Sequence, residues 1–115
     1  MTIDEYAEWA AAVAKVTEHP TNERLSYLGL GLAAESGEVA DHIKKLLRDG
    51  KLDHASLTDE LGDAIYYWAC LCVASGRKPS ELLAGSRSKI ERRVAAAATN
   101  EGKPKANYST QNDMC

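Results

Sequence analysis

Leu28, Leu32, Val39, Ile43 and Leu46 recur at helical period, and at about 100° per residue they project within a stripe roughly 60° wide. A stripe of that width sets one face of a long helix against a core. The stretch GLAAESGEVADHIKKLL, residues 31 to 47, then places Glu35 beside the stripe and Glu38 about 60° further round on the same side. An acid pair three residues apart is ordinarily a solvated helix face. Glu35 departs from that reading because positions 28, 32, 39 and 43 around it are apolar, and a buried carboxylate without a partner is costly. A cation is therefore expected close by.

The rest of the chain also reads as helix. Alanine and leucine dominate over β-branched residues, and there is no phenylalanine. A first helix opens on a capping box, Thr2 to Glu5, and carries Ile3, Tyr6, Ala10 and Val13 at helical spacing until His19 and Pro20 interrupt it. The second runs from Asn22 to Arg48, loosened by Gly29 and Gly31, where a kink is expected, and closes on Gly50. The third, in HASLTDELGDAIYYWACLCVASG, has Ser56 or Thr58 as its cap and ends on Gly76. It is apolar nearly all round, with Leu61, Ile65, Trp68 and Cys72 on one side, so a central position is expected. The fourth begins near Pro79, with Leu82, Leu83 and Ile90 pointing inward. The expected architecture is a single all-α domain over residues 1–98, a four-helix bundle, followed by a polar tail or arm over residues 99–115. Four apolar faces exceed what so short a chain can cover, so a homodimer or homotetramer is expected to complete the bundle.

A formal net charge of −3 argues against a nucleic-acid polymer as partner, but leaves room for a small phosphorylated ligand. The N-terminus opens with acids and no basic segment, and no apolar run approaches ~20 residues, so no membrane is expected and a cytoplasmic location is. Cys70, Cys72 and Cys115 form no CxxC pair and read as reduced thiols.

A second acid pair, Glu60 and Asp63, stands on one edge of the third helix. On antiparallel neighbours joined by DGKLDHAS, the four carboxylates Glu35, Glu38, Glu60 and Asp63 can face one another, and a divalent cation would relieve their repulsion. All-oxygen ligation selects Mg²⁺, or Mn²⁺, over zinc. His42 is the one histidine placed near the acids and reads as a surface residue or one lying just outside the ligands. A di-iron bundle would require ExxH pairs, which are missing. Magnesium held by carboxylates leaves positions for the oxygens of a phosphate chain. Lys89, three and four residues before Arg92 and Arg93, supplies cations for it, and with no GxxxxGK[ST] or GxGxxG the phosphates would be held by metal and side chains. For a base or sugar the aromatic candidates are Tyr67, four residues after Asp63, and Trp9 on the flank of helix one.

GLAAESGEVADHIKKLLRDG followed by DELGDAIYYWACLCVASG resembles the MazG-like family of all-α nucleoside triphosphate pyrophosphohydrolases, with ExxE on one helix and ExxD on the next. Gly37 and Gly62 within the pairs, the EVAD continuation and the DG turn also match, and the likeness covers about residues 25 to 93. It implies that Glu35, Glu38, Glu60 and Asp63 bind Mg²⁺, that Glu38 or Glu35 is the general base, and that a nucleoside triphosphate is hydrolysed to the monophosphate and pyrophosphate in house-cleaning of the nucleotide pool. Lys89 and Arg93 fit the family's phosphate-contacting helix, although Ser86 stands where asparagine is usual. A narrower enzyme for dUTP, dCTP or phosphoribosyl-ATP, a non-catalytic nucleotide-binding module, and a metal-storage or redox bundle are the competing readings.

Overall fold

The computed structural model describes residues 1–100, and among them every regular element is helical. The expected tail, with Cys115, lies outside the described residues except for its first two positions. Helix α1 spans Ile3–Val13, with the capping box in place: Thr2 Oγ1 accepts from the Glu5 amide at 3.0 Å, and Glu5 Oε2 accepts from the Thr2 amide at 2.8 Å. Lys15, in the left-handed region at φ 53°, ends that helix and leads into a short 3₁₀ turn at Val16–Glu18. Helix α2 spans Thr21–Asp49, 29 residues without interruption, and stops where Gly50 takes φ 73°. Helix α3 spans His54–Ala74 and α4 spans Pro79–Thr99.

One expectation changes here. The cap of α3 is Asp53, not Ser56 or Thr58; its carboxylate accepts from the Ser56 amide at 3.1 Å and from the Ser56 hydroxyl at 2.8 Å. Glycine at position 31 serves close approach within a continuous helix, because a Cβ there would run into the ring of Tyr67 on α3. Gly29, by contrast, faces open space.

The chain divides into two compact units, Met1–Pro79 and a second that begins at Ser80. Within the first, Gly31 lies against Tyr67, Glu35 against Glu60 and Asp63, and His42 against Glu60, so α2 and α3 run antiparallel. Its core is built from small side chains: Ala7, Ala10, Ala11, Ala69, Cys70 and Cys72, closed by Val16 and Leu28. Small residues let helix backbones approach closely, and Tyr6, Tyr66 and Tyr67 fill the margin. Leu28 alone of the five stripe residues is fully buried, and Ile43 is 40% exposed. Leu61 and Ile65, expected on the inward side of α3, are 53% and 39% exposed. In the second unit, Leu82, Leu83 and Ile90 are exposed. No helix among the described residues is long and apolar enough to cross a membrane.

Candidate metal centre

Antiparallel packing of α2 on α3 brings together acids that lie far apart in sequence. One carboxylate oxygen from each of Glu35, Glu60 and Asp63 lies within 4.8 Å of the other two. Glu35 and Glu60 are half-buried, while Asp63 is exposed. Partial burial holds the Glu35 carboxyl above its ordinary range, and a hydrogen bond shared with Glu60 and the charges of Asp63, Glu60 and Glu38 push the same way. Glu38 is exposed and stands outside the triplet, though its charge reaches Glu35. The seam with α3 runs nearer Glu35, and a side chain about 60° further round the helix projects past it.

Tyr67 borders the acids. Burial raises its hydroxyl pKa, and Tyr27, Glu35 and Asp63 add to the shift, which places the phenol among these groups. Tyr6 on α1 feels Asp63 as well. Trp9 is 56% exposed, its ring 5.7 Å from that of Tyr6. Lys89 and Arg93 are exposed on α4 in the second unit, where neighbouring Arg87 is held by Glu91 at 2.8 Å. His42 sits beside Glu60, with Nε2 3.6 Å from Oε1.

Two features escaped the sequence reading. A cleft of about 410 Å³ opens where α1 gives way to α2, with Val16, Ala14 and Leu28 as apolar wall and His19, Glu23, Arg24 and Tyr27 as polar rim. Arg24 spans it, donating to the Val16 carbonyl at 2.8 Å and the Thr21 hydroxyl at 3.2 Å. Tyr27 belongs both to that rim and to the surroundings of Tyr67, so it links the cleft to the acids. One signal was present, since Tyr27 precedes Glu38 by eleven residues and so lies within about 20° of the same helix edge.

The model of the MazG nucleotide pyrophosphohydrolase domain matches residues 23–96, which takes in α3 and nearly all of α2 and α4. The chain belongs to this family. It is also similar to the Gene 37 protein of Mycobacterium phage L5, 44% identical over 54 residues, covering 43% of this chain and 47% of that protein. The chain thus spans about half the length of that curated relative. No solved structure matches.

As a MazG domain the molecule can be tested for fit to a metal on its own geometry. Three carboxylates from two helices offer hard oxygen donors within 4.8 Å, and the Glu35 carboxyl is raised first by burial and then by its acidic neighbours. That donor set suits Mg²⁺ or Mn²⁺.

A pH dependence follows. An unfolded glutamate titrates near pH ~4.3. The folded Glu35 carboxyl holds its proton to higher pH, so folding takes up a proton in the interval between the two values. The associated stability is complete below the unfolded value and is lost as pH rises through the folded one. Asp41, Asp49 and Asp53 are shifted downward, so their opposite contributions lie below this window. Metal-free protein should therefore melt lower at about pH 7.5 than at about pH 5, Glu35→Gln should shrink that difference, and Mg²⁺ should restore the melting temperature at the higher pH. Thermal melts of both proteins with EDTA or Mg²⁺ check it; a wild-type protein that melts identically under all conditions would contradict it.

Proposed function

We propose that this MazG domain is a Mg²⁺-dependent pyrophosphohydrolase that converts nucleoside or deoxynucleoside triphosphates to the monophosphate and pyrophosphate, acting in the cytoplasm to clear the nucleotide pool. The convergence of Glu35, Glu60 and Asp63 within a family-matched domain carries the reading. These three, with Glu38 completing the set from the exposed edge, would hold the metal. When bound, the cation neutralises phosphate oxygens and polarises phosphorus, with Mn²⁺ as an alternative ion.

The chain's own groups divide the remaining work. Glu35 or Glu38 accepts the proton of the attacking water on a carboxylate oxygen as the bond between the α and β phosphates breaks. Lys89 and Arg93, four residues apart on one face of α4, carry the positive charge suited to a phosphate chain, the role that the family resemblance implies for them. The Tyr67 hydroxyl would orient the nucleotide, and Trp9 would offer a stacking face. The base itself would enter the cleft beside Tyr27, whose apolar wall and polar rim suit a nucleobase. Apolar side chains left exposed on α3 and α4 support assembly into a homodimer or homotetramer.

A panel of nucleoside and deoxynucleoside triphosphates incubated with Mg²⁺ tests this reading. Pyrophosphate should appear in equal amount with the monophosphate. Orthophosphate as the only product would overturn it, and thermal stabilisation by nucleotide without turnover would favour a binding module instead.

A further inference from the structure

Among the described residues, His42 has one of two side-chain nitrogens that are fully enclosed and without a hydrogen-bond partner. Its side chain is 12% exposed, and the enclosed atom, Nε2, stands 3.6 Å from Glu60 Oε1. That separation is longer than a hydrogen bond, so the imidazole faces the carboxylate without engaging it. Glu60 meanwhile shares a hydrogen bond with Glu35. Asp53, whose carboxylate caps α3 through Ser56, also stands within electrostatic reach of His42.

We propose that His42 is a positioning residue for the metal centre: its imidazole donates from Nε2 to the outer oxygen of Glu60 and fixes that carboxylate with its other oxygen turned toward Glu35 and Asp63. The inference rests on the metal reading above. Two facts favour positioning over direct ligation. Nε2 stands against Glu60 but outside the triplet whose oxygens converge, and a carboxylate has two oxygens, one of which can face the metal while the other accepts the imidazole proton. An enclosed donor with no partner is an unfavourable state, which closing this contact relieves. Carboxylates and histidines just outside a metal's ligands commonly act in this way, by fixing rotamer and orientation.

Sequence angles agree with that role. His42 follows Glu35 by seven residues, two turns along the same edge of α2, so it reaches the seam at the level of the first turns of α3.

Mn²⁺ binding, read from the electron paramagnetic resonance of the free ion, tests the proposal without reference to turnover. His42→Leu, which keeps volume but removes the donor, should weaken Mn²⁺ binding by about 10- to 100-fold. His42→Gln, which returns an N–H at a similar reach, should recover most of that loss while thermal melts of the two variants remain alike. Unchanged affinity in His42→Leu would overturn the proposal, and so would equal losses in both variants, which would make His42 a packing residue. Nitrogen coupling to bound Mn²⁺ in spin-echo spectra would also overturn it, by making His42 a ligand. Wild-type protein that binds no Mn²⁺ would remove the metal reading itself, an outcome distinct from the other three.

Discussion

If the proposed metal centre carries the reaction, replacing Glu60 with glutamine is expected to cut pyrophosphate release by roughly 10³-fold, because the lost carboxylate charge would take with it several kcal/mol of transition-state stabilisation. The fold should not suffer. Glutamine keeps the shape of the side chain, and its amide can either accept from a protonated Glu35 or donate to an ionised one, so the hydrogen bond between the two positions is kept. Removing one of three converging negative charges relieves repulsion, so metal-free Glu60→Gln should melt at or above the wild-type temperature at neutral pH. Opposite signs for activity and stability are the mark of a site in which charges are gathered for a ligand rather than for packing. Circular dichroism melts beside a pyrophosphate assay measure both. A variant that lost activity and stability together would make Glu60 a structural residue, and a fully active one would remove it from the site.

The helices were largely legible because their signals are local. The Thr2–Glu5 capping box and the Gly50 stop appear where the residues place them, and α2 begins and ends within one residue of its expected bounds. Asp53 was missed as the cap of α3 because Ser56 and Thr58 are cap residues by type, and the choice depends on which one the preceding loop leaves extended. Three of the four acids converge because helical angle and antiparallel direction both follow from sequence, whereas the exposed place of Glu38 depends on where the seam between α2 and α3 falls. Leu61, Ile65 and Ile90 show the limit of periodicity: it identifies an apolar face, not what covers it. The cleft beside Tyr27 was illegible for a related reason, since Lys15 in a left-handed conformation and the short turn after it set how α1 meets α2.

Gly31 and Gly29 are two residues apart on one helix, yet substitutions at them should move stability in opposite directions. Nothing stands near a side chain at Gly29, so Gly29→Ala should stabilise by about 1 kcal/mol through helix propensity and the reduced freedom of the unfolded chain. At Gly31 the same added atom meets the ring of Tyr67, which is itself packed edge-on against Tyr66 with ring centres 5.5 Å apart. Gly31→Val, whose branched Cβ cannot turn away from the ring, should destabilise by about 1–3 kcal/mol from overpacking. The damage should also reach the site, because a displaced Tyr67 leaves the neighbourhood of Glu35 and Asp63. Gly31→Val/Tyr67→Ala should then be more stable than the sum of its single changes implies, since the second substitution removes the obstacle created by the first. Denaturant unfolding of the four proteins in the cycle measures this coupling. Additive losses would mean that the two residues do not meet, and with that the close packing of α2 on α3 that brings the acids together would lose its support.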